Sequence, residues 1–324
     1  MNRIAIFIPA RSFYGDTILL IPFFQNIRAQ YPQCKILVFS PAQTINVLNQ
    51  LKLFDDVFIY DKKKVGTTLK PLLDFKPDVI FNFRTSSAPQ NIICFRCKGA
   101  IKIGIRPSIL FSFIYHHKPK IDHNMYRALF FLKLLENPLF KPHFGMQKVK
   151  ELALFEKPLS QDYNKYLNIC LMPGGGAGEY KRWGIHNFIE LAKLIKTKYN
   201  HAFFHFVVGS QEVEDMKILN QSLDQQSYKI YMNEKIPLLL RVVEICKLTI
   251  ANDCGPSHLA QMTGANYLGV WGWINQNPIE KIAEWSQQSN TSQHILADQG
   301  LDIKTLQPEK VFIKAIEMLQ NNIT

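Results

Sequence analysis

The chain is 324 residues long, 47% hydrophobic and 20% charged, a balance that excludes an extended disordered protein and leaves room for two domains of ordinary size. Its 38 lysines and arginines against 26 acids give a formal charge of +12, which points to an acidic partner: nucleic acid, an anionic membrane surface or a phosphorylated substrate. No apolar run approaches the roughly 18 residues that a membrane-spanning helix needs. The N-terminus, MNRIAIFIPARSF, lacks the apolar core and small-residue cleavage site of a signal peptide. Six scattered cysteines form no disulfide framework, and the pair Cys94 and Cys97 has no second pair to complete a zinc site. A reduced, cytoplasmic protein without a bound metal is expected.

In chain order, residues 4–8 form a strand-like run, followed by a polar turn and an expected helix from about 17 to 31. Short apolar runs rich in β-formers return at 35–39, 57–60 and 79–81, with helical patterns between them. Buried strands alternating with amphipathic helices predict a parallel sheet covered on both faces. The rhythm fades over 137–165, where Pro138, Pro142 and Pro158 punctuate a charged stretch. It restarts at 167–171, with a Gly-rich turn and a helix over 186–199. Strands follow at 203–208, 228–231, 248–250 and 267–270, and a last helix runs from about Pro308 to Gln320. The expected fold class is α/β, with two Rossmann-like domains over 1–155 and 156–324, the last helix free to pack back on the first. Ligands of such sheets bind at the carboxyl ends of the strands.

Three polar clusters stand at such ends. The first, residues 9–16 (PARSFYGD), places Asp16 at or near a helix N-cap. Capping contributes about 1 kcal/mol and, taken alone, is the simpler reading; the other is a general base at the mouth of a cleft. The second, residues 173–183 (PGGGAGEYKRW), offers Gly174, Gly175 and Gly176 for close backbone approach, with Lys181 and Arg182 just before a helix. Glycines that let N–H groups reach an anion, followed by two cations, suit a diphosphate; the spacing is not that of a Walker A loop. In the third, residues 251–260 (ANDCGPSHLA), Gly255 and Pro256 open a helix whose first N–H groups lack partners, a ready anion site. His258 either reaches that anion or bonds the backbone. Asp253, which would repel a phosphate, is expected to hold the turn's own N–H groups. Cys254 has no base placed to make it a nucleophile.

The charge is uneven. Between Ile93 and Lys150, eleven basic residues stand against two acids, Asp122 and Glu136. The same segment carries residues 109–115 (ILFSFIY), a mixture that suits anionic lipid or a lipid-linked acidic molecule.

With the three clusters in view, the chain resembles the glycosyltransferase family that includes the lipopolysaccharide heptosyltransferases. The resemblance rests on Gly15-Asp16, on Lys181-Arg182-Trp183, on residues 252–260 and on a closing loop with Gly272 and Pro278. It implies a GT-B fold, two Rossmann-like domains whose parallel sheets face each other across a cleft. It implies an inverting, metal-independent transfer of a sugar, commonly heptose from ADP-heptose, to a lipopolysaccharide or lipooligosaccharide core. No cofactor is implied beyond the nucleotide-diphosphate sugar as donor substrate. Asp16 then matches the base and Lys181 the residue facing the donor phosphates. Gly174, Gly175, Gly176, Arg182, Asp253, Cys254, Gly255 and His258 belong to the donor site. Glu212, preferred over Glu214, is expected at the ribose, and the 232–236 loop, with Ile236, at the base. The acceptor, a lipid-linked acidic saccharide, falls to the first domain and to Arg11, Gly15, Arg84, Arg96, Lys98, Arg106 and Arg127. A peripheral place at the inner face of the cytoplasmic membrane follows, with no nucleic acid and no obligate protein partner.

This chain departs from the family pattern in three places. Cys254 stands where a hydroxyl is usual, Gly184 where Pro is common, and the closing loop carries Trp271 and Trp273 without the usual Thr. These departures bear on the donor more than on the reaction type, leaving another nucleotide sugar open. The rival readings are a sugar-nucleotide epimerase of the same fold and a nucleic-acid-binding protein. The latter has no recognisable nucleic-acid-binding pattern behind it.

Overall fold

The computed structural model describes residues 1–9, 13–105, 107–119, 124–141, 145–146, 148–159, 162–176 and 178–321. They divide into two units, Met1–Met146 and Gln147–Thr324.

The first unit runs β1 (Arg3–Phe7), α1 (Tyr14–Ile18), α2 (Ile21–Gln30), β2 (Lys35–Ser40), β3 (Asp56–Ile59), α3 (Leu69–Phe75), β4 (Val79–Asn82), α4 (Ala88–Arg96), β5 (Ile101–Gly104) and α5 (Arg127–Leu132). Its five strands are all parallel, in the order β3-β2-β1-β4-β5. β1 from Ile4 to Phe7 and all of β4 are buried on both faces, the edge strand β3 is half-buried, and Phe7 stacks on Phe39 with ring centroids 4.4 Å apart. The order reverses at β1, whose neighbours are β2 and β4. Loops leaving β1 and β4 therefore diverge to opposite faces and open a crevice at the carboxyl edge. The register pairs Phe7 with Asn82, so the two strands end level.

The second unit runs β6 (Leu167–Met172), α6 (Ile185–Lys198), β7 (Ala202–Val208), α7 (Val213–Ser222), β8 (Tyr228–Met232), α8 (Ile236–Ile245), β9 (Leu248–Ala251), α9 (Ser257–Thr263), β10 (Tyr267–Trp271), α10 (Pro278–Trp285), β11 (Ser292–Leu296) and α11 (Pro308–Gln320). Its six parallel strands lie in the order β11-β10-β9-β6-β7-β8, the doubly wound Rossmann order with its reversal between β6 and β9. Met172 pairs with Ala251, so the Gly-rich loop after β6 and the turn after β9 start side by side.

Several expectations need correction. The helix expected over 17–31 is two, α1 and α2, parted at Leu19 and Leu20 with Pro22 early in the second. The units divide ahead of 155/156, because the 3-10 turn Val149–Phe155 packs on α8 and α9. Arg241 of α8 also donates to the Glu156 carbonyl at 3.3 Å. The last helix packs on its own unit: α11 lies against α6 and sends Val311, Ala315, Ile316 and Leu319 into that core. β5 and β11 lay outside the sequence reading. Lys102 interrupts one apolar run, and the other, SQHIL, is a half-buried edge strand.

Gly184 is the N-cap of α6 at φ 98° and ψ 143°, a region proline's ring excludes and Cβ-bearing residues rarely enter. A Cβ there would meet nothing within 4 Å, so any cost of substitution is conformational. Gly184→Ala is expected to lose about 1–3 kcal/mol in denaturant unfolding, and Gly184→Pro more. A Gly184→Pro protein as stable as the wild type would contradict this backbone geometry.

Candidate active site

Asn252, the first residue after β9, ties the two second-unit loops together. Its N–H donates to the Met172 carbonyl at 3.2 Å, its amide Nδ2 donates to the Pro173 carbonyl at 2.6 Å, and its Oδ1 accepts from the Trp183 N–H at 3.4 Å. Every polar group of this buried side chain is thus used to fix the backbone on either side of Lys181 and Arg182. Trp183 is itself fully buried: its Nε1–H donates to the Leu306 carbonyl at 2.7 Å, and its ring meets Phe188 edge-on at 5.0 Å. Asn252 was quoted in the sequence motif without a role. Asn at a strand end reads as a turn former, and only its three partners show it to be a clamp.

Lys181 and Asp253 form a hydrogen-bonded ion pair, both side chains largely buried. This corrects the expectation that Asp253 bonds the turn's own N–H groups. The turn is held instead by the Ser257 hydroxyl donating to the Cys254 carbonyl at 2.7 Å, and by Asn252. An ammonium has three N–H groups and Asp253 takes one, so the pair fixes the direction of Lys181 without exhausting it.

Arg182 points the other way. Its Nη2 lies 2.9 Å from Glu212 Oε1 and 3.0 Å from Gln211 Oε1, while its Nε lies 3.5 Å from Glu179. Glu212 Oε2 accepts the Gly209 N–H at 2.7 Å. Glu212, expected at the ribose, is therefore a buried carboxylate with both oxygens engaged at the end of β7. Glu214 is exposed and pairs with Lys217 at 2.8 Å. A Cβ on Gly174 would come within 3.5 Å of the Glu212 carboxylate, so the glycine loop runs directly beside it. A Cβ on Gly175 would lie 2.7 Å from Arg182 Cγ, so any other residue there displaces the arginine, while Gly176 faces open space.

Gly255 and Pro256 are the part of the turn that solvent reaches. Burial pushes the Cys254 thiol up to about 12, which removes it as a nucleophile. Burial pushes the His258 imidazole down to about 4, with Lys181 adding to the effect and Asp253 opposing it. His258 is neutral at pH 7, its ring 6.3 Å from that of Trp285, and it adds no charge for a phosphate. The Ile236 side chain is fully buried at the start of α8, so contact with a base from this loop falls to backbone and to the exposed Met232.

In the first unit, Asp16 lies in the first turn of α1, just beyond β1. The N-cap is Phe13, without a side-chain bond, and Asp16 is the third helical residue rather than the cap itself. Thr17 and Thr44 join their hydroxyls at 3.2 Å and hold α1 at the carboxyl edge of the sheet. Arg84 follows β4, the neighbour of β1. Its Nη1 donates to the Tyr60 hydroxyl at 2.7 Å, and its guanidinium lies over the same ring at 5.9 Å. The fold therefore brings Gly15, Asp16 and Arg84 to one edge of the first sheet.

Two of the other expected acceptor residues are not gathered there. Arg96 and Lys98 end α4, which leads the chain back to the amino end of β5, so they stand at the opposite edge. Arg127 begins α5 with its guanidinium 5.0 Å from the Phe130 ring. Lys102, counted with the basic face, is buried with its ammonium on the Ala100 carbonyl at 3.0 Å. Arg11 and Arg106 lie outside the described residues. Among the described residues, no three His, Cys, Asp or Glu side chains are placed to hold a metal ion.

Two Rossmann-like units of parallel sheet, each with charged side chains at its reversal point, define a GT-B class of α/β architecture. Residues 91–301 match glycosyltransferase family 9 (heptosyltransferase), a span that takes in both loops of the second unit. A Campylobacter jejuni lipooligosaccharide heptosyltransferase 2 is 24% identical over 98% of this chain and 99% of its own. Among solved structures, Escherichia coli heptosyltransferase WaaC with ADP superposes with a TM-score of 0.70 at 14% identity, covering 98% of this chain and 99% of that one. Escherichia coli ADP-heptose lps heptosyltransferase II gives 0.68 at 16% identity, covering 100% of both chains. The chain belongs to glycosyltransferase family 9 and is a glycosyltransferase, which sets aside the epimerase and nucleic-acid-binding readings.

Two measurements check this geometry. Removing Lys181 leaves the Asp253 carboxylate buried without its cation. Lys181→Ala is therefore expected to cost about 3–5 kcal/mol in chemical denaturation, and Lys181→Ala/Asp253→Asn less than Lys181→Ala alone. A double variant no more stable than the single one would contradict the pair. The imidazole of His258 binds a proton more readily unfolded than folded, so its contribution is full above about 6.5 and is lost as pH falls towards about 4. About 3 kcal/mol of acid destabilisation is expected from this residue, and His258→Gln should flatten the fall of Tm over that window. An unaltered fall would contradict the buried neutral imidazole.

Proposed function

We infer that this enzyme transfers heptose from ADP-heptose to the core of a lipooligosaccharide or lipopolysaccharide acceptor. One observation carries the reading: the glycine loop after β6 and the turn after β9 are locked together by Asn252 and by the Lys181–Asp253 pair at the reversal of the second sheet. Loops at such a reversal, with a directed ammonium and accessible backbone N–H groups, suit a sugar diphosphate. The relatives support the rest: they are heptosyltransferases of lipooligosaccharide or lipopolysaccharide, and one solved structure holds ADP.

In this reading the acceptor hydroxyl gives its proton to Asp16 and its oxygen bonds to the anomeric carbon. The bond from that carbon to the diphosphate oxygen breaks on the opposite side, which inverts the configuration. ADP leaves with the electron pair, and the growing charge on its phosphate is offset by Lys181 and by the N–H groups of residues 174–176 and of Gly255. Positive charge for the leaving group thus comes from the chain, and the reading needs no metal. Arg182 acts at one remove, holding Gly175 and the Glu212 carboxylate in place, with Glu212 and Met232 nearest the nucleoside. Arg84, braced by Tyr60, serves the acidic acceptor. The acceptor is lipid-linked, so the reaction runs at the inner face of the cytoplasmic membrane. Free thiols at all six cysteines suit that compartment.

Incubating the enzyme with ADP-heptose and a heptose-deficient lipooligosaccharide is expected to release ADP. Asp16→Asn should lower that turnover at least about 100-fold while leaving ADP-induced thermal stabilisation intact. Full activity in Asp16→Asn would remove it as the base, and turnover with UDP- or GDP-sugars alone would replace the donor.

A further inference from the structure

The 3-10 turn Ile109–Ile114 of the first unit is amphipathic in the wrong sense for a solvent-facing loop. Ile114 is buried in the core below, and Phe111 packs against the same core, so the turn is anchored. Its other side presents Ile109, Leu110 and Phe113, which are 97%, 72% and 73% exposed. Phe113 meets Phe95 of α4 edge-on at 5.8 Å, and Ile92, one turn earlier on α4, lies on the same side of the helix. Phe95 and Ile92 are themselves 55% and 51% exposed, so five large apolar side chains share two packed elements and face water. Soluble surfaces scatter such residues singly; a contiguous group marks a contact.

The charge around this group selects the partner. Between Asp78 and Asp122 the chain carries no acid at all. Arg96 and Lys98 are exposed at the end of α4. Lys118 is tied to the turn itself, its ammonium donating to the Ser112 hydroxyl at 3.0 Å and to the Ser112 carbonyl at 3.3 Å. A second 3-10 turn, Lys62–Thr68, also packs against α4 and opens with the exposed run Lys62-Lys63-Lys64. Apolar side chains ringed by cations suit an anionic bilayer, where the former enter the headgroup boundary and the latter meet lipid phosphates. The other exposed apolar pair, Leu154 and Phe155, stands between Lys150-Glu151 and Glu156-Lys157, with no excess of positive charge beside it.

We propose that the first unit docks on an anionic membrane surface through Ile109, Leu110 and Phe113, with Phe95 and Ile92 of α4 beside them and Arg96, Lys98, Lys118 and Lys62–Lys64 holding the headgroups. The proposal rests on the lipid-linked acceptor reading above and adds to it the surface that meets the lipid. Its apolar part packs beside the second half of α4, while Lys62–Lys64 follow β3 on the carboxyl side, where Tyr60 braces Arg84. The surface holds the enzyme at the bilayer without occupying the acceptor's reacting end.

The test uses the full chain and vesicles that contain no acceptor, so its failure leaves the transfer chemistry untouched. Wild-type protein should co-sediment with phosphatidylcholine vesicles containing phosphatidylglycerol, and much less with phosphatidylcholine alone. Ile109→Ser/Leu110→Ser/Phe113→Ser should lower binding at least about tenfold while leaving Tm unchanged, because these side chains are exposed. Lys62→Glu/Lys63→Glu/Lys64→Glu should lower it by a similar factor at low salt. In Phe113→Trp, the added emission should be quenched by brominated lipid. Turnover on a delipidated soluble acceptor should be the same in all three variants. Wild-type protein that ignores anionic vesicles, or a serine variant that binds them as well, would overturn the proposal. So would a wild-type dimer in sedimentation velocity that the serine variant abolishes without any vesicle binding, which would make a second copy the partner.

Discussion

The second unit is organised around a buried carboxylate paired with a lysine ammonium. Asp253 stands where two loops leave neighbouring strands in opposite directions, a place where an isolated charge would cost several kcal/mol. Lys181 meets that cost, and in doing so its ammonium acquires a fixed direction at the mouth of the crevice. Asn252 makes the arrangement rigid by bonding both strands' exits and the backbone of Trp183. Remove the pair and the glycine loop loses its far anchor; keep it and a chain of small hydrogen bonds holds the glycine loop and the turn after β9 beside one directed cation. A reacting diphosphate gains from such preorganisation, because the site needs no rearrangement as charge develops.

Arg182 shows how adjacent cations come to differ. One residue further along the chain, it is turned into the protein by Glu212 and Gln211, and its stem fills the space that a side chain at Gly175 would need. The loop's glycines are thus constrained from inside by an arginine and left open outside, at Gly176, for a ligand. Neutral His258 and the protonated thiol of Cys254 complete an environment in which Lys181 supplies the charge. The first unit divides its tasks by position in the same way. Its carboxyl edge carries Asp16 and the Tyr60-braced Arg84, and its basic, apolar surface runs along α4 and the turn beside it.

Much of this was legible because buried parallel strands write themselves as short apolar runs, and nine of the eleven strands were readable that way. β5 was hidden by Lys102, which buries its ammonium on a carbonyl, and β11 by the polar pattern of an edge strand. The second-unit site was visible as residue types at strand ends, including Gly175, Lys181, Asp253 and His258. What the sequence could not show was partnership. Asp253 finds a lysine 72 residues away rather than its own turn, Glu212 finds Arg182, and Ile236 points into the core. The acceptor set implied by the resemblance joined Arg96 and Lys98 to Arg84, whereas a helix carries them to the other edge of the sheet. The charge count from Ile93 to Lys150 also passed over Lys62–Lys64, whose turn packs on the same helix as the apolar turn.

In the proposed transfer Lys181, fixed by Asp253, reads the diphosphate of the donor, and calorimetric titration of wild-type and Lys181→Ala protein with ADP and with AMP measures that contact. The wild type is expected to bind ADP roughly tenfold or more tightly than AMP, and the preference to collapse in the variant while AMP affinity is kept. Equal affinities for ADP and AMP in the wild type, or an undiminished preference without Lys181, would contradict it.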